Sequence, residues 1–175
     1  FSLDYIGGDA YVGGIFQGSA LFGSHQMTST ANSVNGFIAK IDSSGTWQWT
    51  SNTSGTGAQY LTKISVSPSG SIGVTGGLVG TTQNHNSATF GSISLSGEYY
   101  EAFVAVADSQ GSWLWAKSAG SGMDDNYINW GFGGVGWTQS GDIIASGSIC
   151  AGAQSSCTAT FDGTQVTTTQ GGQSN

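Results

Sequence analysis

Residues Phe103–Trp115 read FVAVADSQGSWLW, and an earlier copy, Phe37–Trp49, reads FIAKIDSSGTWQW. Seven of the thirteen positions are identical at an offset of 66 residues, which makes this a tandem unit. Phe37, Ala39 and Ile41 alternate with Ile38 and Lys40, and Phe103, Ala105 and Ala107 alternate with Val104 and Val106. Alternation at period two is the pattern of a strand. Asp42-Ser43-Ser44-Gly45 and Asp108-Ser109-Gln110-Gly111 follow. Asp first and Gly fourth suits a type I turn, because Asp bonds the backbone ahead of it and Gly accepts the positive φ that closes the hairpin. The chain returns through Trp47-Gln48-Trp49 and Trp113-Leu114-Trp115. The i, i+2 spacing predicts that both indoles of a pair lie on one face of the return strand.

Other segments recur around this hairpin. Ile64–Gly70 followed by Ser71–Gly76, and Val135–Gly141 followed by Asp142–Gly147, each read as strand, Gly turn, strand, like Phe1–Gly8 followed by Asp9–Gly14. The turn glycines Gly8, Gly70 and Gly141 line up, as do Gly14, Gly76 and Gly147. A third element recurs as Ala20-Leu21-Phe22-Gly23, Ala88-Thr89-Phe90-Gly91 and Ala159-Thr160-Phe161-Asp162-Gly163, each inside a Gly/Ser/Thr/Asn-rich insertion. The expected fold is all-β, with four main antiparallel strands per repeat and a small insertion between the second and third. The 175 residues form a single β-repeat domain: repeat one 1–55, repeat two 59–120, and an incomplete repeat three 126–175 that lacks the Trp-rich hairpin. Helix is nearly absent from this reading.

Four strands per unit at this period, with a Trp-rich closing strand, point to propeller-like blades. The motifs Val74-Thr75-Gly76, Phe37-Ile38-Ala39-Lys40-Ile41-Asp42 and Trp113-Leu114-Trp115-Ala116-Lys117 resemble the secreted β-propeller repeats of bacteria and archaea, the SBBP-like repeats. The resemblance covers most of the chain. It implies four-stranded blades and acidic loops between repeats, such as Asp124-Asp125-Asn126-Tyr127, and it implies no activity. Repeat three departs from the pattern with Trp130, Trp137 and a cysteine loop. Propellers have about four to eight blades, so two and a half cannot close a ring. An unclosed last sheet carries unpaired edge groups, which neighbouring subunits would cover by β-augmentation unless the chain is a fragment. Head-to-tail contacts between copies would then give a ring or a filament.

Composition narrows the function. Charged residues make up 7% of the chain against about 25% in an average soluble protein, so Ser, Thr, Gly, Asn and Gln must form the surface. Three lysines, no arginine and a net charge of −7 argue against nucleic acid, since nothing neutralises a run of phosphates. An anionic membrane surface is disfavoured likewise, and no apolar run approaches the ~20 residues of a membrane span. Such a surface fits an extracellular or cell-surface protein. The chain begins at Phe1 and not Met, which suggests a removed leader or a trimmed chain. Cys150 and Cys157 are the only cysteines. In a secreted chain they would form a disulfide that staples a short loop; the alternative is a pair of buried thiols. No further soft ligand accompanies them for zinc.

Candidate chemistry is sparse. Asp124 and Asp125, with Asn126, Tyr127, Asn129 and Trp130, form the densest polar-aromatic cluster. Its oxygens could bind Ca²⁺, and Tyr127 and Trp130 could form a platform for a glycan; the plainer reading is a solvated loop between blades. Glu98 and Glu101 are the only glutamates, and a carboxylate pair could serve glycoside hydrolysis, but a separation of three residues at a strand entrance is no evidence for it. His25 and His85 lie in the insertions without a repeated partner. No nucleophile elbow, phosphate loop or zincin motif occurs, so no enzyme is expected. The Trp pairs read as packing between neighbouring repeats. Asn52-Thr53-Ser54 is a glycosylation sequon, placed in a turn after a strand.

Three functional readings follow. The first is an extracellular structural or interaction protein that self-assembles through sheet edges into a filament, sheath or surface array, with copies of itself or other surface proteins as partners. The second is a glycan-binding, lectin-like or adhesin module. The third is a fragment of a larger secreted β-propeller. No cofactor is expected beyond the candidate Ca²⁺.

Overall fold

A computed structural model of the chain describes residues 1–30, 33–80, 86–97, 100–120, 132–147, 156–161 and 163–169. Repeat one supplies β1 (Ser2–Ile6), β2 (Asp9–Phe16), β3 (Ser19–Phe22), β4 (His25–Thr28), β5 (Asn35–Ile41) and β6 (Trp47–Ser54). Repeat two supplies β7 (Ala58–Val66), β8 (Ile72–Val79), β9 (Asn86–Phe90), β10 (Ile93–Gly97), β11 (Tyr100–Ala107) and β12 (Trp113–Gly120). Repeat three supplies β13 (Phe132–Trp137), β14 (Ile143–Gly147), β15 (Ser156–Phe161) and β16 (Thr164–Thr169). Among the described residues there is no α-helix. The protein is all-β, and its strand pairs are antiparallel.

The Asp-x-x-Gly turns form as their residues dictate. The Gly45 N–H donates to the Asp42 carbonyl and the Asp42 N–H to the Thr46 carbonyl; Gly111, Asp108 and Ser112 repeat the pattern. Asp42 Oδ1 accepts the N–H groups of Ser44 and Thr46 at 2.9 and 3.0 Å, and Asp108 Oδ1 accepts those of Gln110 and Ser112 at 2.9 and 2.8 Å. The Ser44 hydroxyl and the Thr46 amide hold the exposed Asp42 carboxyl below the ordinary aspartate range. Gly45 and Gly111 both have φ of 82°, where an L side chain costs about 1–2 kcal/mol.

One sheet runs β1-β2-β5-β6-β9-β10 and the other β16-β15-β12-β11-β8-β7. The four main strands of repeats one and two are therefore adjacent, as expected. Among the described residues each of these sheets nevertheless has six strands, because the insertion hairpin of the following repeat joins the outer strand. Thr53 and Ser54 of β6 pair with Phe90 and Thr89 of β9, and Ala119 and Gly120 of β12 pair with Phe161 and Thr160 of β15. This corrects the expectation of four-stranded units. The physical reason is an exchange of needs: the outer strand has unpaired edge groups, and an isolated two-stranded hairpin is marginal in water. The sheets are open; no barrel or closed ring forms among the described residues.

The sheets stack. β7 lies across β1, β2 and β5, and β13 lies across β7 and β8. The core between the two large sheets holds Tyr11 and Ile38 from the first, Leu61, Ile64, Val74, Leu78, Phe103 and Ala105 from the second, and Phe90 on the transferred hairpin. Met27, Phe37 and Ala39 form a smaller core on the other side of the first sheet. Phe37 and Ala39 thus face away from Ile38, as the period-two pattern requires. The connector between the sheets is held by reciprocal bonds of Thr56 and Ser87: Thr56 N–H to Ser87 Oγ at 3.0 Å, and Ser87 N–H to the Thr56 carbonyl at 3.2 Å. Gly57 beside it has φ of 77°, and a Cβ there would sit 2.3 Å from the Val79 carbonyl oxygen.

The aromatic pairs depart from expectation. Ile41 pairs with Trp47 and Lys40 with Trp49, so Gln48 is an extra residue; Leu114 is its counterpart, with Ala107 opposite Trp113 and Val106 opposite Trp115. A bulge of this kind breaks the alternation. Trp47 turns into the smaller core and meets Phe22 edge-on at 4.7 Å, whereas Trp49 turns to the other face and meets Tyr11 at 6.2 Å. The expectation that both indoles share a face is corrected accordingly.

Candidate functional site

The joint between repeats one and two is built from the tandem hairpin. Trp49 Nε1 donates to the Ser109 carbonyl at 3.2 Å, and a Cβ on Gly111 would lie 2.7 Å from the Trp49 ring. The indole of one hairpin therefore sits on the Asp-x-x-Gly turn of the next, and the missing side chain of Gly111 makes the approach possible. Beside it, Lys40 Nζ lies 2.8 Å from Asp9 Oδ2 and 5.4 Å from the Tyr11 ring centre. The hydrogen bond to Asp9 holds the ammonium above the ordinary lysine value. Ser2 Oγ and Asp4 Oδ2 accept the N–H groups of Ile64 and Val66 at 3.2 and 2.6 Å, covering the edge of β7 with side chains. At the next joint Trp137 Nε1 donates to the Ser65 carbonyl at 3.0 Å, and Val135, Trp137 and Ile143 close on Gly73.

The register shows which groups at the two ends have no such cover. Leu3 lies opposite Val12 and Tyr5 opposite Ala10, as Ile64 lies opposite Val74 and Val66 opposite Ile72. Phe1 lies against Gly14, as Leu61 pairs with Gly76. Phe1, Leu3 and Tyr5 are thus the counterparts of Leu61, Ile64 and Val66. Leu61 and Ile64 are 3% and 6% exposed against the first sheet; Phe1, Leu3 and Tyr5 are 91%, 67% and 64% exposed. On the same side Leu21 of β3 is exposed, and among the described residues β3 pairs only with β4, whereas its counterpart β9 pairs with β6. At the opposite end β14 pairs, among the described residues, only with β13, whereas β2 and β8 pair with β5 and β11. There Trp115, the counterpart of Trp49, is 37% exposed, and its indole N–H has no partner among the described residues. Leu114 and Ile144 are exposed as well.

The other sequence-derived candidates fall as follows. Asp124, Asp125, Asn126, Tyr127, Asn129, Trp130, His85, Glu98 and Cys150 lie outside the described residues. Cys157 lies in β15, its backbone opposite Thr168. His25 Nε2 lies 3.2 Å from the Trp47 carbonyl, tying the β3–β4 hairpin to the first sheet. The Glu101 carboxylate packs against the α-carbon of Gly97. Asn52 is inside β6 opposite Phe37, half-buried, with its Nδ2 donating to the Thr53 carbonyl at 2.8 Å; the sequon therefore belongs to a paired strand, which corrects its placement in a turn. Among the described residues no three His, Cys, Asp or Glu side chains gather where they could hold a metal ion, and no helix is long and apolar enough to cross a membrane. The exposed Phe1-Leu3-Tyr5 face is not among the candidates that the sequence motifs single out. Its signal was available: the odd-numbered apolar residues of Phe1–Ile6 match positions that are apolar in repeats two and three. No family model matches the chain, and no curated protein is significantly similar to it.

Proposed function

We propose that the chain is an extracellular structural module that associates with copies of itself or with like modules through its open sheet edges and end faces. In this reading the stacked sheets act as blade-like units, and neighbouring molecules continue the stack. The observation that carries it is the exposure of Phe1, Leu3 and Tyr5 where Leu61 and Ile64 are buried. The same position is used twice inside the chain to seat one repeat on the sheet before it, and the uncovered third instance offers the same geometry to a neighbour. Each such side chain gains about 1.5–3 kcal/mol on full burial, enough for three to matter. The surface of Ser, Thr, Gly, Asn and Gln, with few charges, supports an extracellular setting. Size-exclusion chromatography with light scattering tests the reading. Species above the monomer mass are expected at high concentration, and a Leu3→Lys, Tyr5→Lys double variant should return them to monomer. A strictly monomeric wild-type chain at every concentration overturns self-association through this face.

A further inference from the structure

Two observations converge at the end of the stack. The second strand of each complete repeat is covered by the first strand of its own tandem hairpin: β2 by β5, and β8 by β11 over eight residue pairs from Tyr100–Val79 to Ala107–Ile72. The corresponding strand of repeat three, β14, has no such neighbour among the described residues. Independently, Trp49 is capped by the turn of the tandem hairpin in the following repeat, through the Ser109 carbonyl and the bare Gly111. Its counterpart Trp115 stands on the last complete sheet, half-exposed, with its indole N–H unused among the described residues. One object would satisfy both. A hairpin laid along β14 would bring its Asp-x-x-Gly turn over Trp115, because that is how β11–β12 is placed with respect to β8 and Trp49.

We propose that β14 and Trp115 form a docking slot for a β-hairpin of the F-x-A-x-x-D-x-x-G-x-W-x-W pattern supplied from outside these 175 residues. This deepens the assembly reading and rests on it, since it names what one open edge takes. Recognition combines main-chain bonds along β14, which give affinity, with an indole that reads the turn. The turn must carry glycine at its fourth position, since a Cβ there collides with the ring as it would at Gly111. It must also leave a carbonyl free for the indole N–H. The two tandem hairpins of the chain itself meet these requirements but are held in the interior of their sheets, between β2 and β9 and between β8 and β15. The donor is therefore a hairpin not already built into a sheet.

The probe is a fluorescently labelled synthetic peptide with the sequence of Glu101–Gly120, beside a scrambled version. It is titrated with the full chain by anisotropy, and amide exchange of Ile143–Gly147 is followed by NMR. Saturable binding is expected, with slowed exchange along β14. Trp115→Ala should leave the fold intact by circular dichroism and weaken binding by about tenfold or more, as for loss of one aromatic anchor with its hydrogen bond. No binding, binding indifferent to Trp115→Ala, or protection confined to strands other than β14 would each overturn the slot. Displacement of the peptide from the wild-type chain by excess Trp115→Ala chain, which keeps its own hairpins but lacks the anchor, would make the occupant a second copy, and would overturn the outside donor. A chain that self-associates yet ignores the peptide loses the slot alone; one that stays monomeric yet binds the peptide loses only self-assembly through the Phe1-Leu3-Tyr5 face.

Discussion

Consider Trp49→Ala beside Trp115→Ala. The two residues occupy the same position in consecutive repeats and differ in what covers them. Replacing a well-buried Trp by Ala costs about 3–5 kcal/mol. Trp49 is partly buried, so its cost falls at or below the lower end of that range, about 2–3 kcal/mol. Loss of the bond to the Ser109 carbonyl adds about 1 kcal/mol. The total is about 3–4 kcal/mol. Trp115 is more exposed and has no partner to lose among the described residues, so its removal should cost about 1 kcal/mol. Urea unfolding followed by far-UV circular dichroism measures both, since that signal survives loss of a tryptophan. With a slope of about 2 kcal/mol per molar urea, Trp49→Ala should lower the midpoint by about 1.5–2 M and Trp115→Ala by about 0.5 M. Equal losses would refute the reasoning, because they would mean that Trp115 is already covered by residues of its own chain.

Three further outcomes are expected. Gly57→Ala should destabilise by about 2–4 kcal/mol, combining left-handed backbone strain with overlap against the Val79 carbonyl, whereas Gly45→Ala, at a similar φ with open space around it, should cost only about 1–2 kcal/mol; chemical denaturation compares them. Asn35 is fully buried, donates to the Thr53 carbonyl and accepts from Ser33 Oγ at 3.0 Å, so Asn35→Leu should cost about 2–3 kcal/mol and speed amide exchange where β5 meets β6. Asp42 has its carboxyl held below the ordinary value of 3.8, so the stability it contributes is present above that pH and is lost as pH falls through the lowered folded value. The acid limb of a stability–pH curve should flatten in Asp42→Asn, and an unchanged limb would refute the role of the turn carboxylate.

The parts of the fold that local chemistry determines were legible in the sequence. Asp42 and Gly45 specify their turn by side-chain bonding and a positive φ, and the alternation of Phe37, Ile38 and Ala39 specifies which face meets which core. The insertions around Phe22, Phe90 and Phe161 were visible as short paired segments. Their destination was not, because two residue pairs between β6 and β9 leave no periodic trace along the chain. The bulge at Gln48 was hidden for a related reason. Spacing of i, i+2 implies a common face only if the partner strand keeps step, and Lys40 and Ile41 do not. The exposed face of Phe1, Leu3 and Tyr5 became recognisable only when the register aligned it with Leu61, Ile64 and Val66. Two-stranded alternation looks the same whether the next layer is present or absent.

The transfer of β9–β10 to the preceding sheet has a mechanical consequence. Repeats two and three each lend two strands backward, so no cut between repeats leaves whole sheets on both sides. Ending the chain after Gly55 would strip the first sheet of its last two strands, and pulling on repeat two would load the outer strand of repeat one directly. The units should consequently lose structure in concert, like shingles nailed through one another, instead of peeling away singly.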